Sequence, residues 1–151
     1  AGAGGAGRAV AITCAMQKAG RIMLADVMPQ KVRKVISEIS RLVPSARVDA
    51  VSGAPVEWAG LARTADLVIN ATPAGMHKGD KAPLGEAAFR EGQMAYDLVY
   101  VFPETAFMNV SGRTGARRSN GPSTAGMGRR IARCTGISAS FWRSGRTSTG
   151  C

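Results

Sequence analysis

The segment Gly2-Ala3-Gly4-Gly5-Ala6-Gly7 sets glycines at G-x-G-x-x-G spacing. Glycines so placed allow a tight turn, let backbone N–H groups approach a ligand closely, and leave a helix start facing negative charge. A pyrophosphate is the group that suits this arrangement. Asp26 stands 19 residues after Gly7, at the end of the apolar run Arg21–Asp26 (RIMLAD). A carboxylate there accepts hydrogen bonds from ribose hydroxyls and repels a 2′-phosphate, which favours NAD, with NADP as the alternative because Lys31 and Arg33 lie nearby. Glycine-rich ends are often merely flexible. The following helix and the spacing of the acid favour cofactor binding here.

A second polar cluster is Asn70-Ala71-Thr72-Pro73-Ala74-Gly75-Met76, directly after the apolar run DLVI. The carboxyl end of a buried strand is where open α/β sheets bind ligands. Taken alone, it reads rather as a polar strand end with a proline turn. Cys14, Cys134 and Cys151 are too scattered for a disulfide framework or a four-ligand zinc site. Cys14 reads as a small buried residue on a helix.

The elements that must position these residues alternate in period. Arg8–Lys18 has apolar residues at helical spacing, with Gly20 as its expected cap. Arg21–Asp26 reads as a buried strand, and Pro29 opens a helix whose face is Val32, Val35, Ile36, Ile39 and Leu42 until Pro44. Strands follow at Arg47–Ser52, Asp66–Thr72 and Gln93–Tyr100, with helices at Trp58–Arg63 and from Glu104 to about Val110. The loop from Pro73 to Pro83 carries Gly75 and Gly79 and is expected to be mobile. Repeated β-α units of this size predict an α/β, Rossmann-like, doubly wound parallel sheet. Only Ala1 precedes the glycine turn, so the expected fold lacks its first strand.

Charge divides the 151-residue chain in two. The net charge is +10, yet residues 1–110 hold 12 Lys+Arg against 10 Asp+Glu, whereas 111–151 hold 8 Arg and no acid. Of those last 41 residues, 28 are Gly, Ser, Thr or Arg. Such a stretch buries too little apolar surface to offset chain entropy, so 1–110 is expected to be the dinucleotide-binding domain and 111–151 a poorly ordered tail. An Arg-rich, Lys-free and acid-free composition also suits a GC-rich gene read out of frame, predicting a frameshift between about Val110 and Met127. No apolar run reaches the roughly 20 residues that span a bilayer, and no leader pattern opens the chain, so a cytoplasmic protein is expected.

Three segments together carry a specific resemblance. GAGGAGRAV, ADLVINATPAGM and YDLVYVFPETAFM resemble, in order and spacing, the shikimate and quinate dehydrogenase family over residues 1–108. The resemblance implies the nicotinamide-cofactor domain of an oxidoreductase that moves hydride at the C3 position of shikimate or quinate. It implies that Gly2, Gly4, Gly5 and Ala6 cradle the pyrophosphate and that Asp26, Val27 and Lys31 hold the adenosine ribose. Ala71, Thr72, Pro73 and Met76 would line the cofactor groove, Val99 would meet the nicotinamide through its backbone, and Tyr100 would reach the substrate carboxylate. Asp26 is similar to the branch of the family that prefers NAD.

Three departures accompany it. Pro103 falls one position later than the family proline, with Phe102 in its place, although Glu104 and Thr105 still match. The family's catalytic Lys and Asp belong to a preceding substrate domain, and Lys18, Lys31, Lys34, Lys78 and Lys81 match no part of it, so no catalytic residue is assigned. The family's glutamine-glycine beyond this point has no counterpart, since no glutamine follows Gln93. Alone, the chain is expected to be inactive, with shikimate or quinate as partner only if the other domain is supplied. The alternatives are another NAD(P)-dependent reductase domain, against which the NATPAGM and YDLVY pair argues, and a basic nucleic-acid-binding fragment. Only Phe141 and Trp142 interleave the arginines of the tail, and no nucleic-acid module is recognisable there.

Overall fold

A computed structural model of the protein describes residues 1–121. The expectations for 122–151, including most of the tail and the end of the frameshift interval, lie outside the described residues.

The chain alternates helix and strand: α1 (Gly5–Met16), β1 (Ile22–Ala25), α2 (Pro29–Leu42), β2 (Val48–Val51), α3 (Pro55–Thr64) and β3 (Leu67–Asn70). A short 3-10 turn at Glu86–Ala88 precedes β4 (Met94–Asp97), α4 (Ala106–Gly112) and β5 (Arg117–Asn120). Every strand pairing is parallel. β1 pairs with β2, and β3, β4 and β5 form a second group in that order.

Strand residues alternate between two apolar layers, as a period of two requires. Ile22 and Leu24 face α1 and α2 with Val32, Val35 and Ile39, and Leu67, Ile69, Met94 and Tyr96 gather around Val10 on α1. Ala25, Val68 and Ala95 turn the other way, onto Trp58, Phe89 and Phe107. Phe89 and Phe107 meet edge to face with ring centroids 5.3 Å apart. Helices on both faces of parallel strands make the fold doubly wound, as the periodicity implies.

Among the described residues, the backbone hydrogen bonds that join the two strand groups are made by the first residues of the chain. The Ala1 amine donates to Ile69 O (2.7 Å), Ala71 N donates to Ala1 O (2.8 Å), and Gly2 N donates to Ala25 O (2.7 Å). Ala1 and Gly2 therefore occupy one end of the central position between β1 and β3.

Several boundaries differ from the sequence reading. α1 starts at Gly5 instead of Arg8, so the glycine motif itself builds the first helical turn. Gly20 does not cap it. Lys18 takes the left-handed conformation (φ 58°), and Ala19 N bonds back to Cys14 O in a Schellman-type closure. α3 begins three residues before Trp58, because Pro55 suits a first turn and Glu57 accepts from Ala54 N (2.7 Å). β4 ends at Asp97 and does not run to Tyr100. Leu42, at the last position of α2, is exposed.

The expected domain end at Val110 falls inside α4, and β5 beyond it pairs with the edge of β4. The ordered unit thus reaches at least Asn120. Arg117–Asn120 has no apolar alternation, which is why the sequence pattern misses it. An edge strand whose backbone pairs on one side tolerates polar side chains.

Candidate cofactor site

The carboxyl ends of β1, β3 and β4 converge with the glycine turn. Gly2 has φ +94°, and a Cβ on it would stand 2.5 Å from Ala71 O. Gly7 lies in α1 against the same turn, where a Cβ would come within 2.0 Å of Gly2 O. These two glycines let the turn lie close against β3. Around Gly4 and Gly5, by contrast, a Cβ would meet nothing within 4 Å. That open side is where the first N–H groups of α1 emerge, and no side chain caps them. The expected residues Gly4, Gly5 and Ala6 therefore present unencumbered backbone at a helix start.

Asp26 follows β1 immediately, and its carboxylate ties the turn down: Oδ2 accepts from Ala3 N (2.8 Å) and Oδ1 from Met28 N (2.9 Å). It is only partly buried. Val27, next to Asp26 in the chain, is 74% exposed, and Lys31 is exposed in the first turn of α2. Arg8 on α1 is paired with Glu38 on α2, its Nε donating to Oε2 (2.6 Å).

On the other side of the turn, Ala71 and Thr72 are half-buried, while Pro73 and Met76 are exposed. The following loop is pinned: Asp80 Oδ2 accepts from Gly75 N and His77 N (both 3.0 Å), and these bonds hold its carboxyl below the usual range. Val99 is buried, with its N–H donated to Asp97 Oδ1 (3.0 Å), and Tyr100 is 60% exposed. The structure brings the glycine turn, Asp26, Ala71 and Thr72 together. Val99 and Tyr100 stand one strand further along. Cys14 on α1 is half-buried, and burial pushes its thiol up to about 11.

A buried polar cluster beneath the site is absent from the sequence reading. Asn70, Asp97 and Thr105 are each 0–1% exposed. Asn70 Nδ2 donates to Asp97 Oδ1 (2.9 Å) and to Ala74 O (3.2 Å), while its Oδ1 accepts from Thr72 N and Oγ1 (3.0 and 2.7 Å). Thr105 Oγ1 donates to Asp97 Oδ2 (2.5 Å) and accepts from Met108 N (3.2 Å), which caps α4. Burial pushes the Asp97 carboxyl above its ordinary range, opposed by the bonds from Thr105, Val99 and Asn70. The signal was in the sequence: a polar residue ends each of two buried strands, and buried polar groups demand partners.

Comparisons with known proteins give this arrangement a lineage. A shikimate dehydrogenase (NADP(+)) of Aeropyrum pernix is 37% identical over 120 residues, covering 80% of this chain and 42% of its own length. That of Moorella thermoacetica is 36% identical over 126 residues, again 80% of this chain, and 41% of its own. The chain is related to the shikimate dehydrogenases. It spans about two fifths of the length of these relatives. Among solved structures, shikimate 5-dehydrogenase from Thermus thermophilus, in complex with NADP(H) and shikimate, is 30% identical with a TM-score of 0.64, covering 93% of this chain and 50% of the other. Quinate dehydrogenase from Corynebacterium glutamicum, in complex with NAD, shares the fold at a TM-score of 0.74 and 24% identity, covering 94% of this chain and 51% of the other. No family model matches the chain. These shikimate dehydrogenase relatives bear out the family resemblance and the Rossmann-like fold read from the three motifs.

Proposed function

We propose that the described residues are the cofactor-holding portion of a shikimate or quinate dehydrogenase, binding a nicotinamide dinucleotide across the turn between β1 and β3. The observation that carries this reading is the Asp26 carboxylate bonded to Ala3 N, which fixes an acid beside a glycine turn whose outer face is open. The residues fit the group. The backbone of Gly2, Gly4, Gly5 and Ala6, at the turn and the start of α1, would hold the pyrophosphate. Asp26 retains acceptor capacity for ribose hydroxyls, with Val27 and Lys31 at its side. Ala71, Thr72, Pro73 and Met76 form the opposite wall, the backbone of Val99 reaches the nicotinamide, and Tyr100 meets the substrate carboxylate.

When bound, the nicotinamide ring gives or takes the hydride. The described residues would orient it, with no proton-transfer pair assigned among them, and are proposed to hold cofactor without turnover on their own. The Asp26 charge argues for NAD; the relatives named above carry NADP(+) in their names, and the two arguments oppose each other. Calorimetric titration with NAD and with NADP decides between them. Saturable NAD binding at least tenfold tighter than NADP binding, lost in Asp26→Ala while circular dichroism is unchanged, is the expected result. Equal affinities would overturn the charge argument, and no binding of either dinucleotide would overturn the site.

A further inference from the structure

Asn70 and Asp97 stand opposite each other in the register of β3 and β4, each at the last position of its strand. Both side chains are fully buried, so neither can touch a ligand itself. An amide has one donating and one accepting end, and Asn70 uses each end twice. Its Nδ2 donates to Asp97 Oδ1 (2.9 Å) and Ala74 O (3.2 Å), and its Oδ1 accepts from Thr72 N (3.0 Å) and Thr72 Oγ1 (2.7 Å). The Asp97 oxygen that meets Asn70 also accepts from Val99 N (3.0 Å), while the other oxygen is taken by Thr105 Oγ1. Three bonds in series therefore run from Thr72 through Asn70 and Asp97 to Val99, linking the segments that follow β3 and β4. With its N–H engaged, Val99 offers a ligand its carbonyl. An apolar pair would also pack between the two strand ends, whereas the polar pair adds a fixed relation between Thr72 and Val99.

We propose that Asn70 and Asp97 are positioning residues for the nicotinamide end of the cofactor: their mutual bond sets the Val99 backbone against Thr72 and so fixes the groove in which the ring lies. This rests on the cofactor reading given above and goes beyond it by separating the two ends of the ligand. The adenosine end depends on a different set of bonds, those from Ala3 N and Met28 N to Asp26. The two members of the pair have different chemical requirements. Position 70 must donate to Asp97 and accept from Thr72 at once, which an amide of this length does and a hydroxyl cannot. Asp97 only accepts. Asp97→Asn can keep its oxygen toward Asn70 and Val99 and turn its amide to Thr105 Oγ1, a hydroxyl able to accept.

The test titrates the full chain with NADH and with ADP-ribose, which lacks the nicotinamide; NADPH and 2′-phospho-ADP-ribose replace them if NADP is the preferred cofactor. Asn70→Ser keeps an oxygen for Thr72 N, as serine does in such turns, and loses the bridge to Asp97. It is expected to weaken NADH binding by about tenfold or more while ADP-ribose stays within about twofold of the unsubstituted chain. The emission of bound NADH is expected to return toward that of free NADH. Asp97→Asn is expected to keep both affinities within about threefold. Asn70→Thr, which fills more of the vacated volume, is read in the same way if Asn70→Ser does not fold. Equal loss of both ligands would make Asn70 merely structural and overturn the proposal, as would undiminished NADH binding. An unsubstituted chain that binds neither ligand would instead overturn the cofactor site itself, before any variant is compared.

Discussion

Single residues in the glycine turn divide by what surrounds them. Gly2 and Gly7 are glycines because the chain crosses itself there, whereas Gly4 and Gly5 face open space, which is where the proposed cofactor would approach. The consequences of adding one methyl group therefore differ. Gly7→Ala forces a Cβ onto Gly2 O and is expected to cost about 2–3 kcal/mol of stability, a magnitude typical of overpacking. Gly4→Ala enters open space at an ordinary φ of −72° and is expected to leave the thermal midpoint within a degree or two while weakening dinucleotide binding at least tenfold. Denaturant titration of both variants beside cofactor titration separates the two effects. A Gly4→Ala variant that binds normally would show that the open side is not where a pyrophosphate rests.

At the scale of elements, Thr105 joins β4 to α4 by bonding the Asp97 carboxylate and capping the helix with one hydroxyl. Thr105→Val keeps the shape and removes both bonds, with an expected loss of about 3 kcal/mol at pH 7. The loss has a pH dependence with a definite sign. Asp97 is held above its ordinary range, so its contribution is fully present below the unfolded carboxyl pKa and declines as pH rises through the folded value. The Thr105 bond matters most to the charged carboxylate. The penalty of Thr105→Val is therefore expected to be larger at pH 7 than at pH 4, which urea titrations at the two values measure. The same cluster explains why NATPAGM and YDLVY are parts of one object: Asn70 ends β3, Asp97 ends β4, each holds the segment that follows it, and the two side chains bond to each other.

At the scale of the molecule, the backbone bonds between β1–β2 and β3–β4–β5 run, among the described residues, through Ala1 and Gly2, supplemented by α1 and α3, which pack against strands of both groups. The Ala1 amine stands at that join. Its folded pKa is about 6 against an ordinary 8.0, because burial disfavours the charge more than Asp26 supports it. Stability linked to this group is fully present above pH 8 and is lost as pH falls through about 6, a change of about 2 kcal/mol. Acetylating the amine is expected to flatten that step in a series of melts from pH 8.5 to 5.5. A step of the same size after acetylation would assign it elsewhere.

The sequence by itself determined the β-α alternation, the helix from Pro29 with Val32, Val35 and Ile39 inward, and the family of the three motifs. Those properties are local, written in periodicity, proline placement and glycine spacing. Asp26 was readable for the same reason, since its distance from Gly7 is a distance along the chain. The tertiary structure alone decided that Lys18 closes α1, that polar β5 joins the sheet, and that Asn70, Asp97 and Thr105 share one buried network. It also showed that Gly2 and Gly7 serve packing while Gly4 and Gly5 face open space. These features depend on which segments meet across the sheet, and a buried carboxylate or an edge strand is stabilised by partners far away in the sequence, which no local pattern encodes.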